Sequence, residues 1–134
     1  MNHELNPAGI SAPILLIEDE PAVLWFLRTA LERSGYSVAT ASTGAAALEM
    51  LRDGEYRAVL SDMRTPGGVD GADVHDWVCT HRPDLGRKFI FITGDIANEE
   101  TAAALRRTGA PHLEKPFLVK QLLEVIDRTL GSNQ

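Results

Sequence analysis

Short apolar runs alternate along this chain with segments that have the periodicity of amphipathic helices. The runs at residues 14–17, 58–60 and 89–92 are continuously apolar and lead into polar residues, as is typical of strands buried on both faces. Weaker patterns at residues 36–41 and 112–114 predict two further strands. A chain that repeats strand and helix in this order folds as an α/β protein.

Apolar residues at helical spacing predict five helices between and after these strands. Ser42 or Thr43 is the predicted cap of the second helix, and Asn98 or Thr101 begins the fourth. The last helix has an apolar stripe that we predict to face the sheet, formed by Leu118, Leu122, Val125, Ile126 and Leu130. The five predicted helices cover approximately residues 21–34, 43–51, 70–81, 98–109 and 118–130.

Right-handed crossovers between successive strands give a parallel sheet with helices on both faces. Of the two strand orders common in doubly wound proteins, the order 2-1-3-4-5 suits five strands, so we predict a doubly wound, flavodoxin-like fold. The 134 residues suit one domain. We expect a flexible N-terminal arm at residues 1–12, the domain at residues 13–131 and a tail at residues 132–134.

The composition narrows the class of protein. Thirteen Lys and Arg residues against nineteen Asp and Glu residues give a net charge of −6, which argues against a dominant nucleic-acid-binding or anionic-membrane surface. We find no signal peptide or long apolar run and therefore expect a cytoplasmic protein. The one cysteine, Cys79, is expected to pack rather than to react. His75 and His81 have no partner at metal-ligand spacing and are expected to be structural or surface residues.

Polar residues stand at the ends of the predicted strands. Glu18 and Asp19 follow the first strand, Asp62 the third, Thr93 the fourth and Lys115 the fifth. Strands one and three are neighbours in the predicted order, so the three carboxylates converge at the sheet edge where such proteins bind ligands. Their oxygens suit Mg²⁺. Beside a metal and a lysine, an aspartate can attack phosphorus and form an acyl phosphate, although Asp62 by itself is equally compatible with a helix cap or a turn.

Four motifs in order resemble the receiver domains of two-component response regulators. They are Leu-Leu-Ile-Glu-Asp-Glu at 15–20, Leu-Ser-Asp-Met-Arg-Thr-Pro at 60–66, Ile-Thr-Gly at 92–94 and Glu-Lys-Pro-Phe at 114–117. The resemblance implies a signalling switch that catalyses its own phosphorylation and dephosphorylation, rather than a metabolic enzyme. The run from Gly109 to Phe117 is similar to receivers of the hybrid histidine kinase type.

The resemblance also implies a role for each matching residue. Asp62 is the expected phosphoacceptor and Thr93 the expected switch hydroxyl. Lys115 is the expected phosphoryl-binding lysine, followed by a cis peptide bond to Pro116. Mg²⁺ is the expected cofactor, and its expected ligands are Glu18, Asp19, Asp62 and the backbone carbonyl of Arg64.

The implied phosphodonor is a histidine kinase or a histidine phosphotransfer protein, and the implied output is control of a downstream protein target. Direct contact with nucleic acid or with a membrane is not expected, and the existence of a homodimer stays open. On the first helix, Trp25 falls among polar residues and Phe26 on the boundary of the apolar face. Either neighbouring loops cover these aromatic residues, or together with Val23 they form a patch on which the phosphodonor docks.

Several positions depart from the family pattern. The first acid of the acidic pair is Glu18, a longer side chain that the family accepts, and the loop at residues 66–71 is one residue longer than usual. His112 stands where the family has a switch Tyr or Phe, so it is either an altered, pH-sensitive switch or a surface histidine. Arg64 and Asp95 are predicted to pair across the mouth of the site and to slow hydrolysis.

Three other classes of function are alternatives to the phosphorylated switch. A phosphohydrolase with an Asp nucleophile would have a second acid two residues after Asp62, where this chain has Arg64. A flavin-binding module of the same topology would place Glu18, Asp19 and Glu20 against a cofactor phosphate of like charge. A receiver-like scaffold that interacts without phosphate would not need the site residues, all of which this chain has. The complete set favours the phosphorylated switch.

Overall fold

The structure is a computed structural model, and it describes residues 12–131. In this range the chain forms five strands and six helices: β1 (Ile14–Ile17), α1 (Pro21–Arg33), β2 (Val38–Ala41), α2 (Gly44–Asp53), β3 (Ala58–Asp62), α3 (Gly71–His81), α4 (Pro83–Gly86), β4 (Phe89–Thr93), α5 (Glu99–Thr108), β5 (His112–Glu114) and α6 (Val119–Leu130). The predicted arm and tail lie outside the described residues, except for Ala12, which is buried. None of the described helices combines the length and the apolarity needed to cross a membrane.

The five strands form one parallel sheet in the order β2-β1-β3-β4-β5. This result confirms the predicted fold class and strand order. Alternate side chains of the strands divide the core into two layers. Ile14, Leu16 and Leu60 contact α1 and α6 on one face, whereas Leu15 and Val59 contact α2 and α3 on the other. Burial on both faces explains why β1, β3 and β4 are continuously apolar, and it holds these strands rigidly in place.

The prediction of five helices was wrong, because α4 is a sixth. Pro83 follows the end of α3, as a helix-ending signal should, but proline also suits the first turn of a helix. It begins the single turn of α4, in which the N–H of Gly86 donates to the carbonyl of Arg82 at 2.9 Å. Leu85 of this turn is buried against the α3 side of the sheet. Four residues are too few to show helical periodicity in the sequence.

Side-chain caps determine where several helices begin. Thr43 caps α2 and Asn98 caps α5, each accepting a hydrogen bond of 3.0 Å from the N–H three residues later. Ser42 and Thr101 are therefore not the caps. Asp70 caps α3 through a reciprocal capping box. These caps fix the lengths of the loops that leave the carboxyl edge of the sheet.

The predicted apolar stripe of the last helix is correct except at its first residue. Leu122, Val125 and Ile126 are buried, and Leu130 packs against the same core. Leu118 is instead the N-cap of α6 and is 68% exposed. A cap residue has extended rather than helical backbone, so its side chain does not continue the helical stripe.

The parallel register brings the strand ends together at one edge of the sheet. The pairs nearest this edge are Ile17 with Ser61, Asp62 with Ile92, and Thr93 with Glu114. The polar residues that terminate or follow these strands therefore emerge side by side, as predicted from the strand order.

Candidate functional site

Lys115 joins two of the carboxylates at this edge. Its Nζ lies 3.1 Å from Oδ2 of Asp62 and 3.6 Å from Oε1 of Glu18. Burial lowers the pKa of Lys115, but the hydrogen bond and charge of Asp62, together with the charge of Glu18, outweigh burial and raise it overall. The lysine is therefore a fixed positive charge at neutral pH.

Glu18 is an almost fully buried carboxylate, with 1% of its surface exposed. Burial is the main cause that raises its pKa to about 7, and the charge of Asp62 adds to this effect. The N–H of Glu20 partly offsets it by donating to Oε2 at 3.1 Å. Within the described part of the chain, Oε1 has no hydrogen-bond partner. A buried oxygen in this state costs free energy that a bound cation would recover.

The acidic cluster has the composition of a hard-cation site. Glu18, Asp19 and Asp62 each offer one carboxylate oxygen, and these oxygens lie within 4.8 Å of one another. Asp19 is exposed, so the cluster opens to solvent on one side. Oxygen ligands from one or two carboxylates, completed by water, suit Mg²⁺. The residues present therefore fit the expected ion.

The backbone around Asp62 is closely held. Oδ1 of Asp62 accepts a hydrogen bond of 3.1 Å from the N–H of Arg64, and the Asp62 carbonyl accepts one of 2.8 Å from the hydroxyl of Ser61. A Cβ atom placed on Gly71 would lie only 2.5 Å from this carbonyl oxygen. Gly71 therefore leaves room for the Asp62 backbone, which any larger residue would displace. From the sequence alone, this glycine looks like an ordinary turn glycine before a helix.

Thr93 lies at the end of β4 and is buried. Its hydroxyl oxygen accepts a hydrogen bond of 3.2 Å from the N–H of Asp95. The Thr93 carbonyl accepts one of 2.8 Å from the N–H of Lys115, so β4 and β5 present these two residues together. The peptide bond from Lys115 to Pro116 is cis, as the resemblance implied.

Two predictions about the rim of the site have different outcomes. Arg64 and Asp95 are both exposed, and no ion pair joins them in the described structure, so the predicted contact is absent. Each side chain leaves its own loop toward solvent, where water competes for both charges. His112 is exposed at the start of the edge strand β5, and its role as a switch stays a prediction.

The aromatic residues of α1 differ in exposure. Trp25 is 68% exposed, so no described loop covers it. Phe26 is partly covered by Phe117, with ring centroids 5.8 Å apart and planes tilted by 50°. Val23 packs partly against the core. Phe117, which the exposed Leu118 follows in the chain, extends the apolar surface next to α1. We call Val23, Trp25, Phe26, Phe117 and Leu118 the α1 patch. The sequence predicts only Val23, Trp25 and Phe26 as members of this patch.

His75 was expected to be either a structural or a surface residue, and it is structural because it is buried. Its ring meets the edge of Phe89 at a centroid distance of 4.9 Å and lies 5.5 Å from Phe91. Burial is the main cause that lowers its pKa. Cys79, expected to pack, is exposed, although its Sγ lies 3.5 Å from Nε2 of His75.

Comparison with known proteins identifies the family. A family model described as the response regulator receiver domain matches residues 14–127. The chain belongs to this family. This receiver domain is 34% identical over 117 residues to the response regulator receiver protein CpdR of Brucella abortus, covering 87% of this chain and 95% of CpdR. It is 36% identical over 124 residues to the sensor kinase CckA of the same organism, covering 90% of this chain.

Solved structures support the same placement. The receiver domain superposes on a CheY-like response regulator receiver domain protein from Methanospirillum hungatei JF-1 with a TM-score of 0.80 and 28% identity, covering 90% of this chain and 94% of that one. The receiver spans only 13% of the length of CckA and about a quarter of the length of several other curated relatives. The shared part is therefore a signalling domain, and the activities of the longer proteins are not assigned to this chain.

Proposed function

We propose that this receiver accepts a phosphoryl group on Asp62 and thereby switches its conformation to control a partner protein. The observation that carries the proposal is the contact of 3.1 Å between the Asp62 carboxylate and the Lys115 amine, beside the acidic cluster. A lysine that already neutralises an aspartate is placed to neutralise the phosphoryl oxygens added to that aspartate.

In the proposed transfer, a carboxylate oxygen of Asp62 attacks the phosphorus of a phosphohistidine. The O–P bond forms as the P–N bond breaks, and the electron pair of the P–N bond passes to the imidazole, which takes a proton from solvent. Lys115 binds the phosphoryl oxygens, and the Thr93 hydroxyl donates to one of them. Water then hydrolyses the acyl phosphate, which releases inorganic phosphate and the free Asp62 carboxylate, so the switch resets itself.

Glu18, Asp19, Asp62 and the backbone carbonyl of Arg64 are the proposed ligands of Mg²⁺. When bound, the ion supplies positive charge against the oxygens of the transferred group. Support for this assignment comes from the buried Oε1 of Glu18, which has no hydrogen-bond partner among the described residues. Glu18 is buried at the inner side of the cluster, and Asp19 is exposed at its outer side.

The proposed phosphodonor is a histidine kinase or a histidine phosphotransfer protein that docks on the α1 patch. Trp25 and Leu118 are both 68% exposed, and exposed large apolar side chains are typical anchors for a protein partner. The patch adjoins the Lys115-Pro116 bond through Phe117, so a partner seated there would lie close to the phosphoacceptor.

The function is tested by incubating the full chain with acetyl phosphate and Mg²⁺ and measuring its intact mass. We expect the addition of one phosphoryl group that hydroxylamine removes, that EDTA prevents and that decays after the donor is withdrawn. Asp62→Asn should abolish the addition, whereas Asp127→Asn, an exposed acid of α6, should not. If the wild type is not modified in the presence of Mg²⁺, the proposal fails, and the alternative of a phosphate-independent scaffold is favoured.

A further inference from the structure

Basic side chains are concentrated at the amino edge of the sheet, opposite the acidic cluster. Because all strands are parallel, the helix C-termini and the loops that enter the strands share this edge. The helix dipole favours basic residues at helix C-termini, but it does not account for Arg57 and Lys88, which lie in loops. Nine of the thirteen Lys and Arg residues lie at this edge: Arg33, Arg52, Arg57, Arg82, Arg87, Lys88, Arg106, Arg107 and Arg128.

A cleft of about 470 Å³ opens at this edge, between the residues that enter β4 and β5 and the last turns of α6. Its lining has no carboxylate, although the chain as a whole carries a charge of −6. A cleft lined by cationic groups and low-dielectric walls concentrates a positive field. We call it the basic cleft, and its lining residues are Arg87, Pro111, His112, Val125, Arg128 and Thr129.

The two arginines of the basic cleft keep hydrogen-bond donors available. Arg128 forms no ion pair within residues 12–131. Arg87 pairs with Asp84, which is 97% exposed and does not line the cleft. An exposed pair of this kind is weak because water competes for both partners, so it does not hold the guanidinium away from a ligand.

We infer that the basic cleft binds a small organic phosphate. Guanidinium groups present paired donors that match phosphate oxygens, and the Thr129 hydroxyl adds a donor. Pro111 and Val125 offer apolar surface to the body of the ligand. The cleft volume falls within the range of about 300–1,000 Å³ that is typical of small-molecule sites. A cleft of this size is too small to hold a folded partner. His112 thereby gains a role as a ligand-binding donor that is independent of the switch.

The inference is tested by recording ¹H–¹⁵N spectra of the full chain during titration with AMP, inorganic phosphate and adenosine. EDTA is present throughout, so that no metal can hold phosphate at the acidic cluster. We expect saturable shifts of the His112 and Thr129 signals with AMP, weaker binding of inorganic phosphate and no binding of adenosine. Arg128→Gln and Arg87→Gln should each weaken AMP binding by about ten-fold, the effect of losing one charge-assisted hydrogen bond.

Arg106→Gln is the matched control, because Arg106 is an exposed arginine of the same edge that does not line the cleft. It should leave AMP binding within about two-fold, the range of an exposed charge outside the site. The inference is overturned if AMP shifts only residues near Asp62, if it does not saturate, or if adenosine binds equally well. An equal loss in all three arginine variants also overturns it, because the attraction would then be diffuse. Spectral dispersion shows whether each variant is folded.

Discussion

Lys115 Nζ lies 3.1 Å from Asp62 Oδ2, although β3 and β5 are separated in the sheet by β4. The same amine also lies 3.6 Å from Oε1 of Glu18, which follows β1, one strand further across the sheet than β3. One cation therefore balances two carboxylates that stand at the ends of different strands. The site depends on the parallel register of the whole sheet rather than on any local motif.

Replacing Lys115 with methionine should slow phosphorylation of Asp62 by acetyl phosphate by about ten-fold or more, because a charge-assisted hydrogen bond contributes roughly 1.5–3 kcal/mol. The measurement is the initial rate of acyl phosphate formation in Mg²⁺. Lys120→Met is the control, since Lys120 is an exposed lysine of the first turn of α6. Equal rates in the two variants would contradict a role for Lys115 in transfer.

Glu18→Gln should change metal-free stability and Mg²⁺ binding in opposite directions. The pKa of Glu18 is about 7 in the fold against an ordinary value of 4.5, so its charge destabilises the fold above pH 7. We expect the variant to raise the free energy of unfolding at pH 8 in EDTA by roughly 1–3 kcal/mol. Between pH 7 and 4.5 the wild type regains this difference as the folded carboxylate takes up its proton.

Urea unfolding at pH 8 and at pH 4.5 measures the stability effect, and calorimetric titration measures the binding of Mg²⁺, which the variant should weaken. A variant that is less stable than the wild type at pH 8 without metal would show that burial does not disfavour the Glu18 charge.

Gly71→Ala should destabilise the fold by about 1–3 kcal/mol, the usual cost of forcing atoms into a filled site. The new Cβ would lie 2.5 Å from the Asp62 carbonyl oxygen and 3.1 Å from Cα of Met63, and both contacts are with backbone. Gly94→Ala is a matched control near the same site, because its nearest contact would be an ordinary 3.7 Å to Cδ of Lys115. Urea unfolding compares the two variants, and similar losses would count against steric control of Asp62 by Gly71.

His75 should make the fold less stable in mild acid. Its pKa is lowered below the ordinary value of 6.5, mainly by burial, so the unfolded chain binds a proton that the folded chain excludes. His75 therefore has no effect on the free energy of unfolding above pH 6.5, and it lowers that free energy as the pH falls below 6.5. His75→Leu should remove this part of the pH dependence, whereas His81→Gln, at an exposed position, should keep it. Unfolding free energies at pH 7.5 and 5.5 provide the comparison, and unchanged slopes in His75→Leu would refute it.

Trp25→Ala should slow phosphotransfer from a histidine kinase by more than about ten-fold, the typical loss at an aromatic hot spot. Phosphorylation by acetyl phosphate should be unchanged, because Trp25 belongs to the α1 patch and not to the acidic cluster. Trp25 is a better probe than Phe26, whose ring contacts Phe117 and whose loss would disturb the fold. Arg28→Ala, on the polar side of α1, is the control. Equal loss with both phosphodonors would argue against docking on this patch.

The sheet and the grouping of the site residues could be predicted because they follow from burial and topology. Strands covered on both faces are continuously apolar, and a parallel order places their polar ends at one edge. The sequence alone therefore groups Glu18, Asp62, Thr93 and Lys115 in one site.

Contacts between residues far apart in the sequence could not be predicted in this way. Phe117 covers Phe26 only because the loop after β5 passes α1. Gly71 is required by a carbonyl oxygen nine positions earlier, and composition does not reveal that approach. The expected pair of Arg64 and Asp95 was inferred from sequence offsets alone, which do not fix the direction of a surface side chain.

The hydrogen bond of 2.8 Å from the Lys115 N–H to the Thr93 carbonyl means that the hydroxyl and the amine are mounted on directly connected backbone. A backbone shift of either residue toward a newly attached group would carry the backbone of the other with it. In the proposed switch, a phosphoryl group on Asp62 would therefore move two strand ends together, and no chain of intermediate side chains would be needed to carry the change to the edge strand.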